Sequence, residues 1–116
     1  MISKENFKSL LIQLAFTQND NQFSKTINDA RFTVDFDKQE LLYPEDQGLK
    51  IHERQTCNFS SSENFVVFEC VHRLLEKGYE PQNIELEPKW QLGHGARADI
   101  LVRDNQGEPL YIIGHC

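Results

Sequence analysis

Long apolar runs, a cysteine framework and a surplus of positive charge are all missing from this 116-residue chain. No apolar run approaches the roughly 20 residues that span a bilayer, so no membrane helix is expected. The first residues, MISKENFKS, lack the apolar stretch of a secretory signal. The cysteines, Cys57, Cys70 and Cys116, are odd in number and irregular in spacing, which gives neither a disulfide framework nor a C-x-x-C metal knuckle. Cys70 falls in an apolar helical context and reads as a small buried hydrophobe. Lys and Arg number 12 against 18 Asp and Glu, a net charge of −6, so the surface as a whole repels nucleic acid. That argues against a stand-alone DNA binder, and less against a module that other domains deliver to DNA. The expectation is a soluble, cytoplasmic chain without internal repeats or low-complexity segments.

What remains is an ordinary small domain. Apolar residues make up 39% and include eight Phe, enough for one modest core. Residues 3–16 read as a helix capped by Ser3, with Phe7, Leu10, Leu11 and Leu14 on one stripe. Residues 17–21 read as a turn and 22–27 as a short second helix. In 31–37, Phe32, Val34 and Phe36 alternate with polar residues, which predicts a strand. A turn at Asp37-Lys38 leads it into a hairpin partner at 40–43. Residues 44–61 are polar, with Pro and Gly punctuation, and are expected to form a long surface connection. This places an internal boundary between an N-terminal helix-and-hairpin extension, 1–57, and a second unit, 58–116.

The second unit opens with the best-defined helix, from Ser61 or Ser62 to about Lys77, stopped by Gly78. Val67, Cys70, Val71, Leu74 and Leu75 form its apolar face, and Glu69, His72, Arg73 and Glu76 its polar stripe. Strands are predicted over 84–90, 97–103 and 109–113, the last apolar on both faces as in a central strand. Residues 91–96 form a Gly-rich loop, and Asp104-Asn105-Gln106-Gly107 a tight turn with Gly at a positive φ. Glu85 and Glu87 alternate with Ile84 and Leu86 and are assigned to the outer face.

Asp99 is the residue out of place, because Asp is a poor strand former. Alternation puts it on one face with Arg97, Leu101 and Arg103. It either pairs with Arg97 or Arg103, or is a ligand for a hard cation such as Mg²⁺. Glu63 opens the helix of the second unit. It is either a first-turn carboxylate favoured by the helix dipole or a residue at the rim of the inward face. A zinc site from His94, His115 and Cys116 lacks a fourth ligand.

The run Leu92-Gly93-His94-Gly95-Ala96-Arg97-Ala98-Asp99-Ile100-Leu101-Val102, followed by Gly107-x-Pro109-Leu110-Tyr111-Ile112-Ile113, resembles the amino-terminal PD-(D/E)xK nuclease domain of type I restriction enzymes. Asn64-Phe65-Val66-Val67-Phe68-Glu69-Cys70-Val71 and Leu74-Leu75-Glu76-Lys77-Gly78-Tyr79 are similar to the same family. The resemblance implies an α+β, restriction-endonuclease-like mixed sheet flanked by helices, incomplete at its C-terminal end. It implies Mg²⁺-dependent hydrolysis of DNA phosphodiesters, with Asp99 and Glu63 as catalytic metal ligands and Lys89, Arg97 and Arg103 near the DNA. It also implies partners: DNA, and restriction-modification subunits or fused domains. The family's third strand closes in Glu-x-Lys, whereas this chain reads Gly114-His115-Cys116. Gly supplies no ligand atom and Cys is a mostly neutral thiol. The chain itself is therefore expected to be inactive, and an uncovered sheet to favour a homo-oligomer. A non-catalytic assembly or DNA-positioning module of the same fold is the alternative, and an unrelated small α+β binding domain is a third.

Overall fold

The computed structural model describes residues 4–52, 54–86 and 100–113. The fold is α+β: among the described residues there are two α-helices and two four-stranded sheets. Helix α1, Lys4–Gln13, buries Phe7 and Leu11 completely, one helical turn apart. The helix is closed by Ala15 at φ 68°, and the Phe16 amide donates to Leu11 O at 2.9 Å, which turns Phe16 back into the core.

The first sheet is an antiparallel meander of β1 (Thr17–Asn19), β2 (Gln22–Ile27), β3 (Ala30–Asp35) and β4 (Glu40–Leu42). The expected strand and hairpin at 31–43 are present, but 17–27 holds two strands where a turn and a helix were expected. In β2 the inward positions are Phe23, Lys25 and Ile27, a period-two pattern that Lys25 hides from any hydrophobicity count. Its turn into β3 is Asn28-Asp29, at φ 49° and 72°, the two-residue hairpin with both central residues left-handed. Between β3 and β4 the Asp35 carboxylate accepts the amides of Asp37 and Lys38 at 2.9 and 3.0 Å. The bond from Lys38 first, and the one from the Gln22 amide at 3.0 Å, hold the Asp35 pKa below its usual range.

The segment expected to be a surface connection is built into the core instead. Leu49 and Cys57 are buried, and Glu40 bridges Asn58. After a 3-10 turn at Glu45–Gln47 comes β5, Lys50–Ile51, then a second 3-10 turn at Arg54–Cys57. Gly48, at φ 100°, comes so close to Gln82 that a Cβ there would lie 2.9 Å from the Gln82 Cβ.

Helix α2, Ser62–Glu76, begins as expected: Ser61 caps it, its Oγ accepting the Glu63 amide at 3.2 Å. It is buried more widely than its expected apolar face. Phe65, Phe68 and His72 are covered along with Val67, Cys70, Val71 and Leu75; Cys70, read from sequence as a plain buried hydrophobe, is disulfide-bonded instead. His72, assigned from sequence to the polar stripe, is fully buried. Phe68 lies 5.3 Å from Phe32 and 6.0 Å from Phe7, edge-on to both, and 5.2 Å from Tyr43.

The second sheet runs β5, β6 (Ile84–Leu86), β7 (Ile100–Arg103), β8 (Pro109–Ile113). β5 and β6 are parallel, joined by α2 as a crossover, and β6, β7 and β8 are antiparallel. Gly107, at φ 86°, makes the expected turn. β8, expected to be central, is an edge strand of the sheet among the described residues. Both sheets and both helices feed one core cluster. No helix among the described residues is long and apolar enough to cross a membrane.

The position of Phe68 gives a direct test of this packing. Phe68→Ala should cost about 3–5 kcal/mol, read as a lower urea midpoint at unchanged slope.

Candidate functional site

Of the residues that sequence assigns to a nuclease site, Asp99, Lys89 and Arg97 lie outside the described residues, as do Gly114, His115 and Cys116 and the Gly-rich loop at 91–96. Two remain. Glu63 stands exposed in the first turn of α2, beside the Ser61 cap. Arg103 ends β7. Among the described residues no group of three or more His, Cys, Asp or Glu is arranged to hold a metal.

Arg103 is committed within the protein. Its Nε donates to Glu85 Oε2 at 2.5 Å, and its Nη1 donates to Gly107 O at 2.8 Å. A cavity of about 230 Å³ beside it is lined by Glu80, Asn83 and Asp104 among others. Two carboxylates there lower the attraction for a phosphate, and the Glu85 pair neutralises the guanidinium.

The partner, Glu85, is the correction to the sequence reading. It was assigned to an outer face, yet it is buried, at 6% exposure. Burial alone would raise its pKa, but the bonds from Arg103 and from His52 Nε2, 2.9 Å from Oε1, outweigh that cost. The carboxyl is therefore held below the usual glutamate range and stays charged. The cluster follows from register. Glu85 on β6 pairs with Leu101 on β7, and Arg103 lies two residues further along the same face, the diagonal that a long side chain spans. His52 follows β5 and donates its amide to Leu86 O at 3.1 Å, which sets its ring over β6. One carboxylate thus joins β5, β6, β7 and the β7–β8 turn.

Sequence contained part of this. The Glu85–Arg103 diagonal is readable once β6 and β7 are aligned as a hairpin pair, because opposite charges two positions out of register attract. His52 was not readable, because its segment gave no sign of being a strand.

Chemically the cluster is a positioning device. It contains no hydroxyl or thiol nucleophile, and its carboxylate is already paired with Arg103 and His52. What it fixes is the relative height of β7 and β8, through Arg103 to Gly107. On the β7–β8 ladder Ile100 faces Ile113.

Glu85 has a depressed pKa in the folded state, so its contribution is complete above the unfolded value of about 4.3 and is lost as pH falls through the folded value. Glu85→Gln should destabilise the protein at pH 7 by up to about 3 kcal/mol, because it strands a half-buried Arg103. The variant should also lose less stability than the parent between pH 5 and 3, as read by urea unfolding. No protein-family model, curated protein or solved structure matches this chain.

Proposed function

We propose that this chain is a nuclease-fold module of a type I-like restriction-modification enzyme. In the parent enzyme it serves Mg²⁺-dependent hydrolysis of DNA. In this chain, with Gly114 and Cys116, it does not cut. The observation that carries the reading is the antiparallel register Leu86↔Ile100↔Ile113, which follows α2. Position 99 is the next residue out from Ile100, and position 114 the next from Ile113. A carboxylate on one strand and a Glu-x-Lys on its neighbour need that register to meet around one metal ion.

The donor set for Mg²⁺ is incomplete. A hard cation takes carboxylate oxygens, which Asp99 and Glu63 supply. Gly114 offers no donor and Cys116 no carboxylate, so the residues present do not fit the ion. The net charge of −6 adds to this: alone, the chain has little reason to stay on DNA. Delivery by fused domains or by restriction-modification subunits fits both facts, and such enzymes work in the cytoplasm. The edge position of β8 also favours self-association through that strand.

A second reading, a non-catalytic assembly or DNA-positioning module of the same fold, is favoured by positions 114 and 116. One experiment separates the two. Supercoiled DNA with Mg²⁺ or Mn²⁺ should remain intact with the chain as it stands. A variant carrying Gly114→Glu and Cys116→Lys should nick it, and adding Asp99→Ala should abolish the nicking. Nicking by the unmodified chain that depends on Asp99 contradicts the proposed inactivity. A folded repaired variant that never nicks contradicts the nuclease origin and leaves the positioning module.

A further inference from the structure

A second polar cluster lies in the core between α2 and the first sheet, and the nuclease reading makes no use of it. Lys25, inward-facing on β2, keeps only 18% of its side chain exposed. Its ammonium meets Leu14 O just past α1 at 2.6 Å, His72 Nε2 on α2 at 3.0 Å and Glu76 Oε2 at 3.3 Å. An ammonium donates and accepts nothing, so His72 Nε2 must present its lone pair. The imidazole is therefore neutral, with its proton on Nδ1.

That Nδ1 is buried and has no hydrogen-bond partner among the described residues; Glu76 Oε1, its nearest acid, is 3.5 Å away. The Phe16 and Phe32 rings stand 5.6 and 6.0 Å from the imidazole, closing it off from water. A second proton has no comfortable place. It would remove the acceptor that Lys25 uses and set two cations 3.0 Å apart. Glu76 is half-exposed and already shared with Lys25. Glu69, one turn earlier, is paired with Arg73 at 2.6 Å, and that Arg73 adds further positive charge. Burial first, and then Lys25, hold the His72 pKa below its ordinary value, against the smaller pull of Glu76 and Glu69.

We infer that the Lys25–His72 contact is a proton-operated latch, which clips α2 to β2 and to the end of α1 while His72 is neutral and releases them when it is protonated. Three elements meet at this one point, with His72 on α2 lying 47 residues along the chain from Lys25, so its loss loosens the packing of α2 on the first sheet ahead of the second sheet. The sign follows from the lowered folded pKa. The latch contributes fully above the unfolded histidine value of about 6.5, and the contribution declines as pH falls from there toward the folded value. Each unit of depression corresponds to about a tenfold fall in the folding equilibrium constant across that window.

The test uses the full chain between pH 8 and 5. Long-range nitrogen NMR on the unmodified protein should show His72 as the Nδ1–H tautomer, still neutral where an ordinary histidine is half protonated, at about pH 6.5. Amide protection factors in β2, corrected for the intrinsic pH dependence of exchange, should fall below that pH before those in β6 and β7 do. His72→Gln should flatten the fall of the urea midpoint in this window. Lys25→Met should let His72 titrate closer to its ordinary value. A His72 that protonates at or above about 6.5 with the fold intact overturns the inference. So does a pH profile identical in parent and His72→Gln. The NMR measurement decides even if a variant fails to fold.

Discussion

Burial of α2 on most of its circumference is the constraint on which the rest depends. Its buried residues, from Asn64 to Leu75, spread well beyond a single stripe. A helix of that kind has to be covered from more than one side. The first sheet and α1 cover it through Phe7, Phe32 and Tyr43, and residues of the second sheet join the same cluster. The parallel pairing of β5 with β6 is a consequence, because parallel neighbours need a crossover and α2 supplies it. Leu49 and Cys57, on either side of β5, are thereby drawn out of the solvent.

A small core of this kind holds two ionic clusters, one for each sheet. Buried ions stabilise little by themselves, since desolvation offsets most of their attraction. Their value lies in geometry. Glu85 holds β5, β6, β7 and the following turn in one register. Lys25 holds β2, α2 and the end of α1 at one point. The two differ in their response to acid. Glu85 keeps its charge until well below neutrality, whereas His72 resists protonation and makes its contact sensitive to mild acid.

The sequence was legible where pattern and chemistry agree. Ser61, the apolar repeat of α2, the alternation in Phe32-Thr33-Val34 and the Gly107 turn all announced themselves. It was illegible where a polar residue occupies an inward position. Lys25 broke the alternation of β2, and His72 and Glu85 looked like surface residues until their partners from distant segments were known. The two-residue β5 is too short to carry a pattern, and only its pairing with β6 defines it. At the candidate site, Glu63 and Arg103 were named from sequence, but the engagement of Arg103 by Glu85 was not. Asp99, Lys89 and Arg97 were named from sequence and lie outside the described residues.

The proposed nuclease reading makes one end of the β7–β8 hairpin, with the start of α2, a metal site left without its full donor set. Paramagnetic broadening by Mn²⁺ tests it most directly, residue by residue, in the chain as it stands and in one carrying Gly114→Glu and Cys116→Lys. The account predicts that broadening in the repaired chain centres on Ile100, Ile113 and Glu63, and is weak or missing there in the unmodified chain. Broadening centred elsewhere in the repaired chain, such as at Glu45 and Asp46, contradicts it.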